Sequence, residues 1–155
     1  MSKKIIYTSS IIIILDQLIK YLISTKLQLN ESIEIINKVF SLTYVQNIGA
    51  AWNILSGNRF LLIVIGIISL IAIYIYFIKN QKLTKIEWIT YSILIGGIVG
   101  NLIDRIFYGY VIDYLNFNLL GYDFPIFNLA DICIVVSVFL IIIIELKGSE
   151  QKYAN

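Results

Sequence analysis

Two aspartates stand where the chain is otherwise continuously apolar. In "FNLADICIVVSVFLIIII", Asp131 heads an almost wholly apolar run from Ile132 to Ile144, and "GYVIDYLNF" puts Asp113 in an equally greasy setting. The chain has ten acidic residues and no histidine. Ser-His-Asp and Cys-His machinery is thereby excluded, as is zinc or iron held through histidine. Any chemistry must come from carboxylates, Lys, Arg, Ser, Thr, Tyr or backbone. Two carboxylates in close contact cannot both ionise cheaply, so they share a proton. One then activates water while the other protonates a peptide carbonyl or a leaving amine. No acidic cluster is dense enough to point to a metal held by carboxylates alone.

The remaining polar residues in apolar stretches each have a structural reading beside a functional one. Asp16 and Lys20 are four apart, acid before base, and stack on one helical face. They are either a self-neutralising pair or support for a site. "GGIVGNLIDRIF" carries Asn101, Asp104 and Arg105, and Asp104 beside Arg105 reads as an ion pair at a helix end. Asn128, one turn before Asp131, could cap a helix that Asp131 enters at the third position. That capping role would account for Asp131 alone and leaves Asp113 unexplained.

These residues must be held by elements that suit a bilayer. Of the 155 residues 59% are hydrophobic and 14% charged, with a mean hydropathy of +0.85. A soluble domain is nearer 45–50% apolar and about 25% charged, so the composition is that of a membrane protein. The net charge of +2 is spread along the chain and offers nucleic acid no basic patch. Cys133, the one cysteine, cannot form an internal disulfide and reads as a packing residue. Four segments are long enough to span, about 5–24, 60–78, 86–106 and 128–146. The first lacks a small-residue cleavage site and is interrupted by Asp16 and Lys20, so it reads as a retained span. Lys3, Lys4, Lys79, Lys82, Lys85, Lys147 and Lys152 flank one side of this arrangement. Both termini and the middle loop are therefore expected in the cytoplasm, with the first and third loops outside.

The first loop, about residues 30–57, alternates Phe40, Leu42 and Tyr44, which is a strand signal. Gly49, Ala50, Ala51 and Trp52 follow, with Trp52 suited to headgroup level. The expected fold is a membrane all-α bundle of four transmembrane helices, with a small extracytoplasmic β-sheet between the first and second. Residues 1–155 form a single domain in this reading. Gly96 and Gly100, four apart, give the third helix a face that another helix can approach closely.

Four stretches in order, "DQLIK", "VQNIGAAW", "GGIVGNLIDRIFYGYVIDYLNF" and "FPIFNLADICI", resemble the lipoprotein signal peptidases (signal peptidase II) of bacteria over nearly the whole chain. The resemblance implies an aspartic endopeptidase of the cytoplasmic membrane. Such an enzyme removes signal peptides from prolipoproteins, on the amino side of a diacylglyceryl-modified cysteine, near the outer face. It implies Asp113 and Asp131 as the catalytic dyad. Asn47, Asn101, Arg105 and Asn128 match polar positions around it, Asp16 and Lys20 match a first-span pair, and Asp104 also falls in a motif. The expected partners are lipid-modified substrates and membrane lipids, the expected state is a monomer, and no cofactor or metal is implied. Gly49 and Trp52 would belong to a sheet that cradles the lipidated segment. Two other readings use the same residues. A small proton-coupled transporter would use Asp16, Asp104, Asp113 and Asp131 as a relay, but the carboxylates gather toward one face and no inverted repeat is visible. An assembly subunit held through Gly96 and Gly100 would leave Asp113 without a role.

Overall fold

A computed structural model describes residues 3–50, 54–79, 82–119 and 121–153, with side chains described as far as Lys147 and Asp123 excepted. Four of its helices are long and apolar enough to cross a membrane. They are α1 (Lys3–Lys26), α2 (Arg59–Ala72, continued by π-helical turns over Ile73–Ile78), α3 (Lys85–Phe107) and α4 (Leu129–Tyr153). Half of the apolar stretch of α3 is buried, against about a fifth in each of the others, so α3 is the axis on which they pack.

The axis is built by removing side chains. A Cβ placed on Gly96 would lie 2.7 Å from Ile12 of α1, and one on Gly100 would lie 2.5 Å from the Asp16 carboxylate. The Gly96/Gly100 face thus receives α1. Gly97, on a different face, receives α4, where a Cβ would meet the Ala130 carbonyl oxygen at 2.6 Å. The ends of α3 are fixed by local chemistry. Thr84 and Glu87 form a reciprocal capping box at its start. At its end Gly109 takes φ +89°, a left-handed turn that suits glycine, and its N–H bonds to the Asp104 carbonyl. Arg59, the first residue of α2, donates to the exposed carbonyls of Arg105 and Ile106 at 2.6 Å each.

The sheet is antiparallel, in the order β1 (Ser32–Ile36), β2 (Phe40–Asn47), β3 (Val111–Leu119) and a two-residue β4 (Tyr122–Asp123). The first loop supplies the hairpin its alternation predicts. It supplies only part of the sheet, because β3 comes from the third loop. Alternation does not betray β3, since its first four residues are buried on both faces and read as a plain apolar run. Tyr44, Ile112 and Tyr114 pack on Ile23 and Leu27 of α1, which seats the sheet on the end of the bundle.

Candidate active site

The N-terminus of α4 has every first-turn amide engaged. Asn128 and Asp131 form a reciprocal box: Asp131 N–H donates to Asn128 Oδ1 at 3.0 Å, and Asn128 N–H donates to Asp131 Oδ2 at 3.1 Å. Leu129 N–H donates to the Tyr114 hydroxyl, Ala130 N–H to Asp16 Oδ1, and Ile132 N–H to the Asn128 carbonyl. The capping role weighed for Asp131 is therefore present, but it occupies only one carboxylate oxygen. The other, Oδ1, accepts from Asn101 Nδ2 at 2.8 Å.

Asp113 reaches the same point from the sheet. It is 2% exposed and accepts from Asn47 Nδ2 at 2.8 Å and from Asn128 Nδ2 at 2.7 Å. One residue, Asn128, thus touches both carboxylates, through its side chain to Asp113 and its backbone to Asp131. Burial, and secondarily the charge of Asp131, push the Asp113 carboxyl up to about 7, against the pull of Asn47, Asn128 and Lys20.

The three carboxamides have no choice of orientation. The oxygen of Asn47 accepts from Gly49 N–H at 2.9 Å, that of Asn128 from Asp131 N–H, and that of Asn101 from the Lys20 ammonium at 3.0 Å. Each donor is incapable of accepting, so each amide must turn its NH2 toward a carboxylate. The two acids are in this way held by donors that are themselves locked.

Beneath them lies a buried charge cluster. Lys20 Nζ sits 2.9 Å from both Asp16 Oδ2 and Asp104 Oδ2, so with Asn101 its three protons have three acceptors. The Asp16–Lys20 pair is as read from the sequence. The Asp104–Arg105 pair is not formed: Asp104 takes Lys20, Gln17 Nε2 at 2.9 Å and the Ile112 N–H at 3.1 Å. Adjacent residues on a helix point to different faces, which is why Arg105 cannot reach back. Arg105 instead donates to the Gly49 carbonyl at 2.9 Å, and its charge lies within electrostatic reach of both Asp113 and Asp131. Trp52 lies outside the described residues.

Several contributors escaped sequence reading. Gln17 binds Asp104 and the Gly100 carbonyl, and only its place inside the polar "DQLIK" stretch hinted at it. Tyr114 and Arg59 carried no signal, because what they hold are backbone groups brought near by the fold.

Comparison with known proteins gives a consistent result. The family model described as signal peptidase (SPase) II matches residues 8–147. Lipoprotein signal peptidases of Staphylococcus aureus, in strains JH9 and Newman among others, are 43% identical over 141 residues, covering 91% of this chain and 86% of theirs. Two solved bacterial membrane enzymes, determined by the in meso method at 2.3 and 1.9 Å resolution, superpose with TM-scores of 0.88 and 0.83. They share 40% and 41% identity with this chain, covering 96% and 93% of it and 91% and 93% of themselves.

Proposed function

Since the chain belongs to the signal peptidase II family, a family of multi-pass bacterial membrane peptidases, we propose that it is an aspartic endopeptidase whose dyad is Asp113 and Asp131. Its reaction is the removal of signal peptides from prolipoproteins, and the bond cut lies on the amino side of the diacylglyceryl-modified cysteine. The observation that carries the aspartic assignment is the meeting of both carboxylates on Asn128, each bonded to locked amide donors. The family assignment sets the transporter alternative aside.

The pair holds one proton near neutrality, and Asp113, raised to about 7, is its carrier. The ionised partner takes a proton from a water lying between them, and the water oxygen bonds to the scissile carbonyl carbon. The protonated partner donates to the carbonyl oxygen. The resulting gem-diol collapses as the C–N bond breaks, and the amine leaves with a proton from the pair. The family's lysine-flanked termini and middle loop lie in the cytoplasm in this proposal, which puts the dyad and sheet at the outer face. The sheet cradles the lipidated segment, and Arg105 and the Gly49 backbone help hold the substrate chain. The enzyme works as one 155-residue domain and as a monomer.

The test is cleavage of a diacylglyceryl-modified prolipoprotein by purified protein in detergent, with a chelator arm and an unlipidated control. Asp113→Asn and Asp131→Asn should each lose activity about a thousandfold or more, and chelation should change nothing. Retained cutting by folded Asp113→Asn, with Asp104→Asn dead, would show that the wrong carboxylates are paired.

A further inference from the structure

At the end of the bundle remote from the dyad, α2, α3 and α4 enclose a cavity of about 200 Å³ lined by Tyr76, Phe77, Lys82, Glu87, Tyr91 and Glu145, with Leu83 at its wall. Its placement is regular. Glu145 follows Asp131 by fourteen positions on α4, and Glu87 precedes Asn101 by fourteen on α3. Both carboxylates therefore lie about 21 Å from the dyad along their own helices. Among the described side chains they are the only acids away from the sheet end of the molecule. With Lys82 beside them the cavity carries one net negative charge, and its aromatic walls add faces that attract a cation. The α2 wall is made of the π-helical turns at Ile73–Ile78, a rare geometry that is concentrated at functional sites. Between cavity and dyad, α4 offers lipid an apolar strip: Val135, Val138, Phe139 and Ile142 are all exposed.

We infer that this cavity receives a lysine or arginine of the substrate's own amino-terminal segment, a second recognition point for the peptide whose other end is cut at the dyad. The inference rests on the signal-peptidase reading. A signal peptide places a positively charged segment before an apolar helix of about 7–15 residues and then its cleavage site. A helix of about fourteen residues covers the same 21 Å that separates cavity and dyad. A substrate docked at both ends is measured for length, and a basic residue at the correct distance lowers KM without touching the chemical step.

The test uses the full-length enzyme and two diacylglyceryl-modified substrates, one with its amino-terminal lysines intact and one with them replaced by glutamine. The variant is Glu87→Gln/Glu145→Gln, in which glutamine preserves the Thr84 capping box. Against the basic substrate, KM should rise about fivefold with kcat unchanged. Against the neutralised substrate, wild type and variant should share the same raised KM. Equal KM values on the basic substrate overturn the inference. A KM rise of the same size on both substrates also overturns it, assigning the cavity to a lipid amine headgroup or to the fold. Failure of wild type to cut either substrate overturns the peptidase reading together with this one, whereas cutting that ignores the amino-terminal charge overturns only this one.

Discussion

At the scale of single residues, the dyad is set by what its neighbours cannot do. Asn47, Asn101 and Asn128 each have an oxygen held by an obligate donor, so their NH2 groups must face acids. Removing one has a signed effect. Asn47 lowers the proton affinity of Asp113 by bonding to its charged form. Asn47→Ala should move the alkaline limb of kcat/KM to higher pH and cost about tenfold in rate, the worth of one such hydrogen bond; a pH–rate profile reads both. In wild type, activity needs the shared proton, which is lost as pH rises through about 7, so kcat/KM should fall there and not near 4. Stability follows the same sign. A carboxyl raised from 3.8 to about 7 by folding stabilises fully below 3.8, and that contribution is lost as pH climbs to about 7. Melting in detergent across this window should show the decline in wild type and a smaller one in Asp113→Asn. The amide in that variant must turn one NH2 toward Asn47 or Asn128, so its melt has to be recorded beside its activity.

At the scale of elements, the site depends on how closely α1 and α4 approach α3. Three glycines with different neighbours make this testable. Gly97→Ala puts a methyl 2.6 Å from a backbone oxygen of α4, which can move only with its helix. Gly100→Ala meets the Asp16 carboxylate, which is itself pinned by Lys20 and Ala130. Gly66→Ala meets the tip of the Leu102 side chain, which can rotate away. Thermal melts should rank the losses in that order, with Gly97→Ala costing about 1–3 kcal/mol, the usual penalty of overpacking. The helices and the Gly96/Gly100 face were legible because apolar length and small-residue spacing are local signals. β3 was not, since a strand buried on both faces has no period to read. Nor was the partner of Asp104: sequence adjacency favoured Arg105, while helix geometry delivers Lys20 from α1.

At the scale of the whole molecule, the two ends differ in kind: one carries the sheet and the acids' network, the other a lysine-rich rim around one cavity. The lysine pattern gives this polarity a direction. In a Cys133→Ser background, a thiol at Lys38→Cys should be labelled from outside intact cells by an impermeant reagent, and one at Lys85→Cys only after lysis. The residue types of the site were readable at a distance, but their convergence depends on a sheet drawn from two loops, which no single stretch encodes. The saturated first turn of α4 also bears on inhibitor design. With every one of those amides taken, the pocket keeps no backbone donor in reserve for a full negative charge, and it already holds two acids. A compound mimicking the tetrahedral intermediate should therefore present a neutral hydroxyl, and phosphonate or boronate warheads should bind poorly beside it.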